Sequence, residues 1–546
     1  MSSPLPRRVS ANLLILVIAT LLASIGNVNF WSVFIHAVGG VSPARLPLLL
    51  GSFAIVVLLF HGLLTLASFR YILKPALILV VLIASAASWF INEYGIVIDK
   101  TIVQSLFETD PREATELLSW RLVQFVALTA GLPALVVART QIRFPLGVRG
   151  VARRAGIAAG SLALAAVLLL LLFKSLAPAV REHRELRFLL TPTNTVQALH
   201  GYLRSRFSTP VVLAPLGRDA VKGSRWLGQA RRTVTVIVVG ETARAANFSL
   251  NGYARETNPR LARESGLINF ANVQSCGTAT AVSVPCVFSG MGRAKYDETQ
   301  ARRQEGLLDV LSHAGFAVLW RDNNSGCKGV CDRVAFTDVA APHPGSRHCA
   351  ADECYDEALL DGLPELIRTA SKDLVVVLHQ KGSHGPAYAK RYPAGFGRFG
   401  PACATSEFDH CTRASIAAAY DNTILYTDTV LAQTIDLLRD AAHADGVDTA
   451  LLYFSDHGES LGEGNMYLHG APYMFAPAEQ THIPMMLWMS DGFTGRFGID
   501  RACLAARRDQ PLSHDNVFHS VLGMLDVDTA VLNPQLDLFH ACIRHG

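Results

Sequence analysis

Five long apolar stretches fill the first third of this 546-residue chain, at residues 11–31, 46–67, 71–91, 122–138 and 155–172. Each is long enough to cross the hydrocarbon core of a bilayer, about 30 Å thick, as a helix. In that solvent a segment must satisfy its own backbone, so helices are the expected form. Composition agrees: half of the residues are hydrophobic, too many for an ordinary soluble protein of this length. The basic residues orient the spans. Arg7 and Arg8 precede the first, Arg70 and Lys74 separate the second and third, and Arg139, Arg143, Arg149, Arg153 and Arg154 crowd the loop before the fifth. The other two loops carry fewer basic residues, and the longer is acidic around residues 108–116. The positive-inside rule then places the N-terminus in the cytoplasm and everything after residue 172 outside it. No A-x-A-like cleavage signal follows the first span, which reads as a retained anchor.

Cysteine usage points the same way. None of the ten cysteines precedes Cys276. Cys276/Cys286, Cys327/Cys331, Cys349/Cys354 and Cys403/Cys411 form four close pairs, as expected of disulfides in an oxidising periplasm. Metal binding is the rival, but no pair has a His or Cys partner at zinc-finger spacing. Cys503 and Cys542 remain open as a fifth bridge. Net charge is only +4, so no nucleic-acid partner is expected.

The expected organisation is a membrane domain over residues 1–176, a linker over 177–228 and an α/β domain over 229–546. Residues 181–207 suit short amphipathic helices on the outer membrane face or, equally by pattern, a plain surface linker. Strands are expected at 234–239, 317–320, 374–378, 450–454 and 483–488, separated by helices such as 305–314 and 415–438. That alternation predicts a mostly parallel sheet wrapped by helices.

Two of these strands carry chemistry. Val236-Ile-Val-Val-Gly-Glu-Thr-Ala-Arg244 and Leu451-Leu-Tyr-Phe-Ser-Asp-His-Gly-Glu459 are apolar runs that end abruptly in acidic or imidazole groups. Strand carboxyl ends line the ligand crevice of an open α/β sheet. Glu241, Asp456 and His457 therefore converge, although more than two hundred residues separate them. Two carboxylates and an imidazole make a metal site, with zinc the first candidate. A lone Asp-His pair is more often an ordinary loop; two strand ends arriving together argue otherwise. In Ser275-Cys-Gly-Thr-Ala-Thr-Ala-Val-Ser-Val-Pro-Cys286, small residues feed a helix starting near Thr280. A hydroxyl there, beside a metal, can lose its proton and attack phosphorus. The plainer reading of Thr280 is a helix N-cap.

These segments, with Asn251-Gly-Tyr, Arg321-Asp-Asn-Asn, His384-Gly-Pro-Ala-Tyr and Ser455-Asp-His-Gly-Glu-Ser-Leu-Gly, resemble the phosphoethanolamine transferases. The most similar group acts on lipid A and includes the mobile colistin-resistance enzymes. The resemblance runs in order through most of residues 230–490. It implies an alkaline-phosphatase/sulfatase-like catalytic domain in the periplasm, tethered to the inner membrane of a Gram-negative bacterium. It implies Thr280 as nucleophile and as zinc ligand with Glu241, Asp456 and His457. Residues matching His384 and His469 lie around the phosphoryl site in the family and can hold a second zinc. Lys328 matches the family's lysine, with Asn324 beside it, and both are expected to hold phosphate or ethanolamine. His379 ends the expected strand 374–378, a favourable place for a ligand, although a single histidine is more often structural or solvated. Thr109 and Glu113 match donor-lipid contacts, whereas Ser105 departs from the family's Asn.

The expected reaction moves phosphoethanolamine from phosphatidylethanolamine to a lipid A phosphate through phosphothreonine, with the enzyme a monomer. The resulting loss of surface negative charge implies polymyxin resistance. Rivals are a sister transferase acting on a core heptose or periplasmic glucan, a membrane-tethered phosphatase or sulfatase, and a non-catalytic membrane protein. Thr280 cannot become the formylglycine of sulfatases, and all four ligand positions are retained, which counts against the last two.

Overall fold

The computed structural model describes residues 9–108, 115, 117–144, 147–183, 186–206, 212–340, 347–349 and 354–544. The chain forms two compact units, residues 1–103 with 118–204, and residues 104–117 with 205–546.

Among its described residues the first unit holds five helical spans long and apolar enough to cross a membrane: Ala11–Ala37, Pro43–Leu66, Leu73–Tyr94, Trp120–Arg139 and Gly147–Ala177. All five expected spans lie within or along these helices. The last helix continues to Glu182, through the expected end of the membrane domain. Beyond it, Leu186–Leu189 and Thr193–Arg206 are helical. Apolar packing alone discriminates poorly between helices in lipid, so polar contacts fix their pairing. His61 bonds Ser161 Oγ through Nδ1 at 2.8 Å and Asn12 Oδ1 through Nε2 at 2.9 Å, joining the first, second and fifth spans. The Ser85 and Thr129 hydroxyls, 2.5 Å apart, join the third to the fourth. Gly51 packs so closely on Leu172 that a methyl there would lie 2.5 Å from Leu172 Cδ1.

The second unit is built on an eight-stranded sheet. Its strands are β1 Thr233–Gly240, β2 Ile268–Gln274, β3 Ala317–Asp322, β4 Ala335–Asp338, β5 Leu374–His379, β6 Asp448–Ser455, β7 His482–Met489 and β8 Leu512–Ser513. Their order across the sheet is β8-β2-β7-β6-β1-β5-β3-β4. All neighbours are parallel except β7, which runs antiparallel to both β2 and β6. Central strands covered on both faces must be apolar throughout, and every residue of β1, β5 and β6 is buried. Each buried Val, Leu or Ile side chain contributes about 1.5–3 kcal/mol. That makes the centre of the sheet rigid enough to carry polar groups at its end.

Helices α1 Thr280–Ser289, α2 Leu307–His313 and α3 Asp515–Met524 share one core with Ile237, Val377, Leu452 and Phe454. The long helix Arg413–Ala444 packs against β6, where Thr449 Oγ1 donates to the Leu438 carbonyl at 3.1 Å.

All ten cysteines are paired: Cys276–Cys286, Cys327–Cys331, Cys349–Cys354, Cys403–Cys411 and Cys503–Cys542. The fifth pair, left open by spacing, is thus a bridge. Closing a loop limits the unfolded chain and contributes roughly 2–4 kcal/mol, more for longer loops. Non-reducing peptide mapping should recover these five linkages, and Cys503→Ser/Cys542→Ser should lower the melting temperature more than removal of any short-loop bridge. Free thiols at Cys276 and Cys286 in active enzyme would contradict the pairing.

Candidate active site

Two adjacent central strands, β1 and β6, end side by side, with Gly240 opposite Ser455 in register. Only glycine fits at position 240, because a Cβ there would lie 2.6 Å from the Tyr453 hydroxyl. The next residues on each strand are Glu241 and the pair Asp456 and His457, all three fully buried. Asp456 N–H donates to the Gly240 carbonyl at 2.8 Å, locking the two strand ends together. Thr242 has φ +60°, an uncommon conformation for a β-branched residue. Its surroundings hold it there: Tyr420 Oη donates to its carbonyl at 2.7 Å and its N–H donates to Asp456 Oδ1 at 3.1 Å. Strain maintained in this way marks functional sites.

Thr280 arrives from the other side as the first residue of α1. The N-cap is Ala279, so Thr280 is not the capping residue that the plainer reading allowed. Its Oγ1 lies 3.0 Å from Glu241 Oε2, 3.2 Å from Glu241 Oε1 and 3.3 Å from His457 Nε2. His457 Nε2 is also 3.3 Å from Glu241 Oε1 and from Asp456 Oδ2. The other imidazole nitrogen, Nδ1, lies 2.9 Å from the Gly458 carbonyl. A carbonyl only accepts, so Nδ1 carries a proton and Nε2 faces the cluster, as a metal-ligating histidine requires.

The electrostatics of the cluster favour a cation there. Burial opposes ionisation of Glu241, yet the hydrogen bond and charge of His457 hold its carboxyl well below the usual range. Burial, then the Glu241 charge, push Asp456 up to about 6. Burial would lower His457, but Asp456 and Glu241 outweigh it and push the imidazole up to about 10. Asp456 Oδ1 accepts from Thr242 N–H and His457 N–H, whereas Oδ2 is buried with no hydrogen-bond partner among the described residues. Such an orphaned carboxylate oxygen is costly unless something else occupies it. Ligand atoms of Glu241, Asp456 and His457 all lie within 4.8 Å of one another. Two carboxylates, an imidazole nitrogen and the adjacent hydroxyl are donors of the kinds that zinc takes.

The remaining expected residues divide. Asn324 joins the cluster directly, its Nδ2 donating to Glu241 Oε2 at 2.8 Å. His469 lies beside His457, ring centroids 4.5 Å apart, and His384 lies 5.4 Å from His469. His469 Nδ1 bonds Glu459 Oε2 at 2.8 Å, and Tyr388 Oη donates to Glu459 Oε1 at 2.5 Å. His379 is fully buried and turned to Asp322, with Nδ1 2.7 Å from Oδ1. Lys328 bonds Ser325 Oγ and the Ser325 carbonyl at 2.8 and 2.9 Å and approaches the Glu108 carbonyl at 3.4 Å, without a hydrogen bond to the Glu241 cluster. Thr109 and Glu113 lie outside the described residues. Thr242, Glu459 and Asp322 are new members of the site. Glu459 had one available signal, its place in the Asp-His-Gly-Glu run.

Comparison with known proteins covers both halves of the chain. The family model described as Sulfatase matches residues 233–527, and the one described as Phosphoethanolamine transferase EptA/EptB matches residues 56–207. The chain is 41% identical over 487 residues to phosphoethanolamine transferase EptA of Escherichia coli (strain K12), covering 88% of each. It is 39% identical to phosphatidylethanolamine transferase Mcr-1 of Escherichia coli, covering 87% of this chain and 88% of that one. Among solved structures, the integral membrane lipooligosaccharide phosphoethanolamine transferase A of Neisseria meningitidis superimposes with a TM-score of 0.93 at 33% identity, covering 99% of this chain and 100% of that one. The protein is a multi-pass inner-membrane protein with a periplasmic catalytic domain. Strand-end cluster, apolar spans and likeness along nearly the whole length meet in one conclusion: the chain belongs to the phosphoethanolamine transferase family.

Proposed function

We propose that the protein transfers phosphoethanolamine from phosphatidylethanolamine to a phosphate of lipid A, with Thr280 as the covalent carrier. The observation that carries this reading is the Thr280 hydroxyl, held at a helix N-terminus within 3.3 Å of both Glu241 and His457. Support for the substrates comes from the relatives, one named for phosphatidylethanolamine and another for lipooligosaccharide.

Glu241, Asp456, His457 and Thr280 would hold one zinc, which supplies Lewis acidity that makes the threonine hydroxyl acidic at neutral pH. The chain's own groups then act as follows. Thr280 Oγ1 donates to Glu241, and its proton leaves along that hydrogen bond as the oxygen attacks phosphorus. The Thr280 Oγ1–phosphorus bond forms, the phosphorus–oxygen bond to diacylglycerol breaks, and the glycerol oxygen departs with a proton. An oxygen of the acceptor phosphate next attacks the phosphothreonine, and Thr280 regains its proton as it leaves. The dipole of α1 favours negative charge at its first turn in both steps. His384, His469, Asn324 and Lys328 steady the phosphoryl and ethanolamine groups, and the two histidines offer a place for a second zinc. His379 belongs to the same substrate region. Thr109 and Glu113 contact the donor lipid.

In this reading residues 1–176 anchor the enzyme, 177–228 follow the outer membrane face and 229–546 catalyse as a monomer. Full-length enzyme in detergent should carry firmly bound zinc, lose turnover on phosphatidylethanolamine after chelation, and regain it with zinc. Glu241→Ala should lower the zinc content itself. Undiminished turnover by zinc-free protein would refute the metal assignment.

A further inference from the structure

The Arg321-Asp-Asn-Asn run contributes more than Asn324. Asp322 closes β3 and is almost fully buried, 1% exposed. Four N–H donors converge on its carboxylate. Oδ1 lies 2.9 Å from Trp320 Nε1 and 2.7 Å from His379 Nδ1. Oδ2 accepts from Asn324 N–H at 3.1 Å and Gly326 N–H at 2.9 Å. An ionised carboxylate is the side chain that accepts at both oxygens and donates at neither. Both partners favour that state. Burial opposes it, but the His379 charge and hydrogen bond hold Asp322 below its ordinary value, while Asp322 in turn raises His379 against burial.

The turn held by Oδ2 bears Asn324. The Asn324 amide nitrogen donates to Glu241 Oε2 at 2.8 Å and to the Gln380 carbonyl at 2.9 Å, while its Oδ1 accepts from Ser325 N–H at 2.7 Å. Glu241 Oε2 is also the carboxylate oxygen nearest Thr280 Oγ1. A continuous set of hydrogen bonds therefore runs from Asp322 through the backbone of residues 324–326 to Asn324, Glu241 and the Thr280 hydroxyl. Asp322 touches none of the proposed zinc ligands itself.

We infer that Asp322 is a positioning residue for transfer: its carboxylate fixes the residue 324–326 turn so that Asn324 holds Glu241 in the orientation that receives the Thr280 hydroxyl. This rests on the proposed role of Thr280. The isosteric change Asp322→Asn is the informative one. It keeps the volume but turns one acceptor into a donor, so it opposes either the Trp320 and His379 pair or the Asn324 and Gly326 pair. A misplacement of about 1 Å near reacting atoms lowers rates by as much as about 100-fold.

The test is a double-mutant cycle on full-length enzyme in detergent, with zinc content and melting temperature measured alongside. Asp322→Asn should lower kcat about 10- to 100-fold while changing KM less than about threefold. In an Asn324→Ala background, where the link to Glu241 is already cut, the same change should cost less than about threefold, because residues acting through one contact are non-additive. A merely structural Asp322 would give equal losses in both backgrounds, and that result overturns the inference. Trp320→Phe removes one donor and leaves the Asn324 side intact; turnover within about threefold of wild type is expected, and a loss as large as that of Asp322→Asn would also overturn it. If Asp322→Asn fails to fold, Asp322→Glu, which keeps the charge but displaces the carboxylate by a methylene from the N–H groups it accepts, replaces it in the same cycle. Thr280→Ala as a control separates the two ideas: turnover by that variant would sink the covalent route, whatever the cycle shows.

Discussion

Thr280→Ala should abolish phosphoethanolamine transfer, by at least about 10³-fold, the scale seen when a covalent nucleophile is deleted. The fold should survive. Thr280 is half-buried, heads a helix whose cap is its neighbour Ala279, and gives up only a hydroxyl and a methyl group. A stability change within about 1 kcal/mol is expected for so small a deletion. Thr280→Ser should retain measurable turnover, since it keeps the hydroxyl beside Glu241 and His457. The decisive measurement pairs turnover on phosphatidylethanolamine with mass spectrometry of the tryptic peptide around residue 280. Wild-type enzyme quenched during turnover should carry phosphoethanolamine there, and the alanine variant should not. Near-wild-type activity in zinc-loaded Thr280→Ala would refute a threonine carrier.

Expression in a polymyxin-sensitive Gram-negative host should raise polymyxin resistance. A lipid A phosphate monoester carries close to two negative charges near neutral pH, and its phosphoethanolamine diester carries one, beside a new ammonium group. The attraction that concentrates a polycationic peptide at the surface falls with that charge and is screened by salt. His457→Ala and Glu241→Ala should cancel the gain, because each removes a buried donor from the site where two carboxylates and an imidazole meet. A lipid A mass spectrum from the same cells reads the chemistry. An unchanged spectrum together with phosphoethanolamine on a core heptose or a periplasmic glucan would assign the enzyme to the sister activity instead.

Much of this site was legible in the chain because its key residues follow apolar runs. β1 and β6 are eight-residue segments without a charge until their ends, apart from Asp448 at the start of β6, so the positions of Glu241, Asp456 and His457 are dictated by strand length. Thr280 was marked by small residues followed by a helix-forming segment. Other elements had no such signal. In β2 the sequence Ile268-Asn-Phe-Ala-Asn-Val-Gln274 interrupts its apolar residues with two asparagines, and β4 is a four-residue, fully exposed edge. The reversed direction of β7 leaves no trace in composition, since a buried strand is equally apolar either way. The polar network beneath the site was the least visible part. Asp322 meets His379 57 residues away, and Glu459 meets Tyr388 71 residues away, at spacings with no periodicity. Such pairings are written in three dimensions only.

The position of β1 has a consequence for how the domain matures. β1 is the first strand of the sheet to be made, yet it lies at the centre, between β5, which begins at residue 374, and β6, which begins at residue 448. As the chain is exported, this valine- and isoleucine-rich strand therefore waits with one edge unpaired until residue 374 has crossed and the other until residue 448 has crossed. Unpaired edges of this kind invite association with other chains, and pairing at such sequence separation closes slowly. The anchor restrains encounters between copies by holding each nascent chain at one end on the membrane. A secreted version of residues 205–546, freed of that tether, should aggregate at lower concentration than the anchored enzyme.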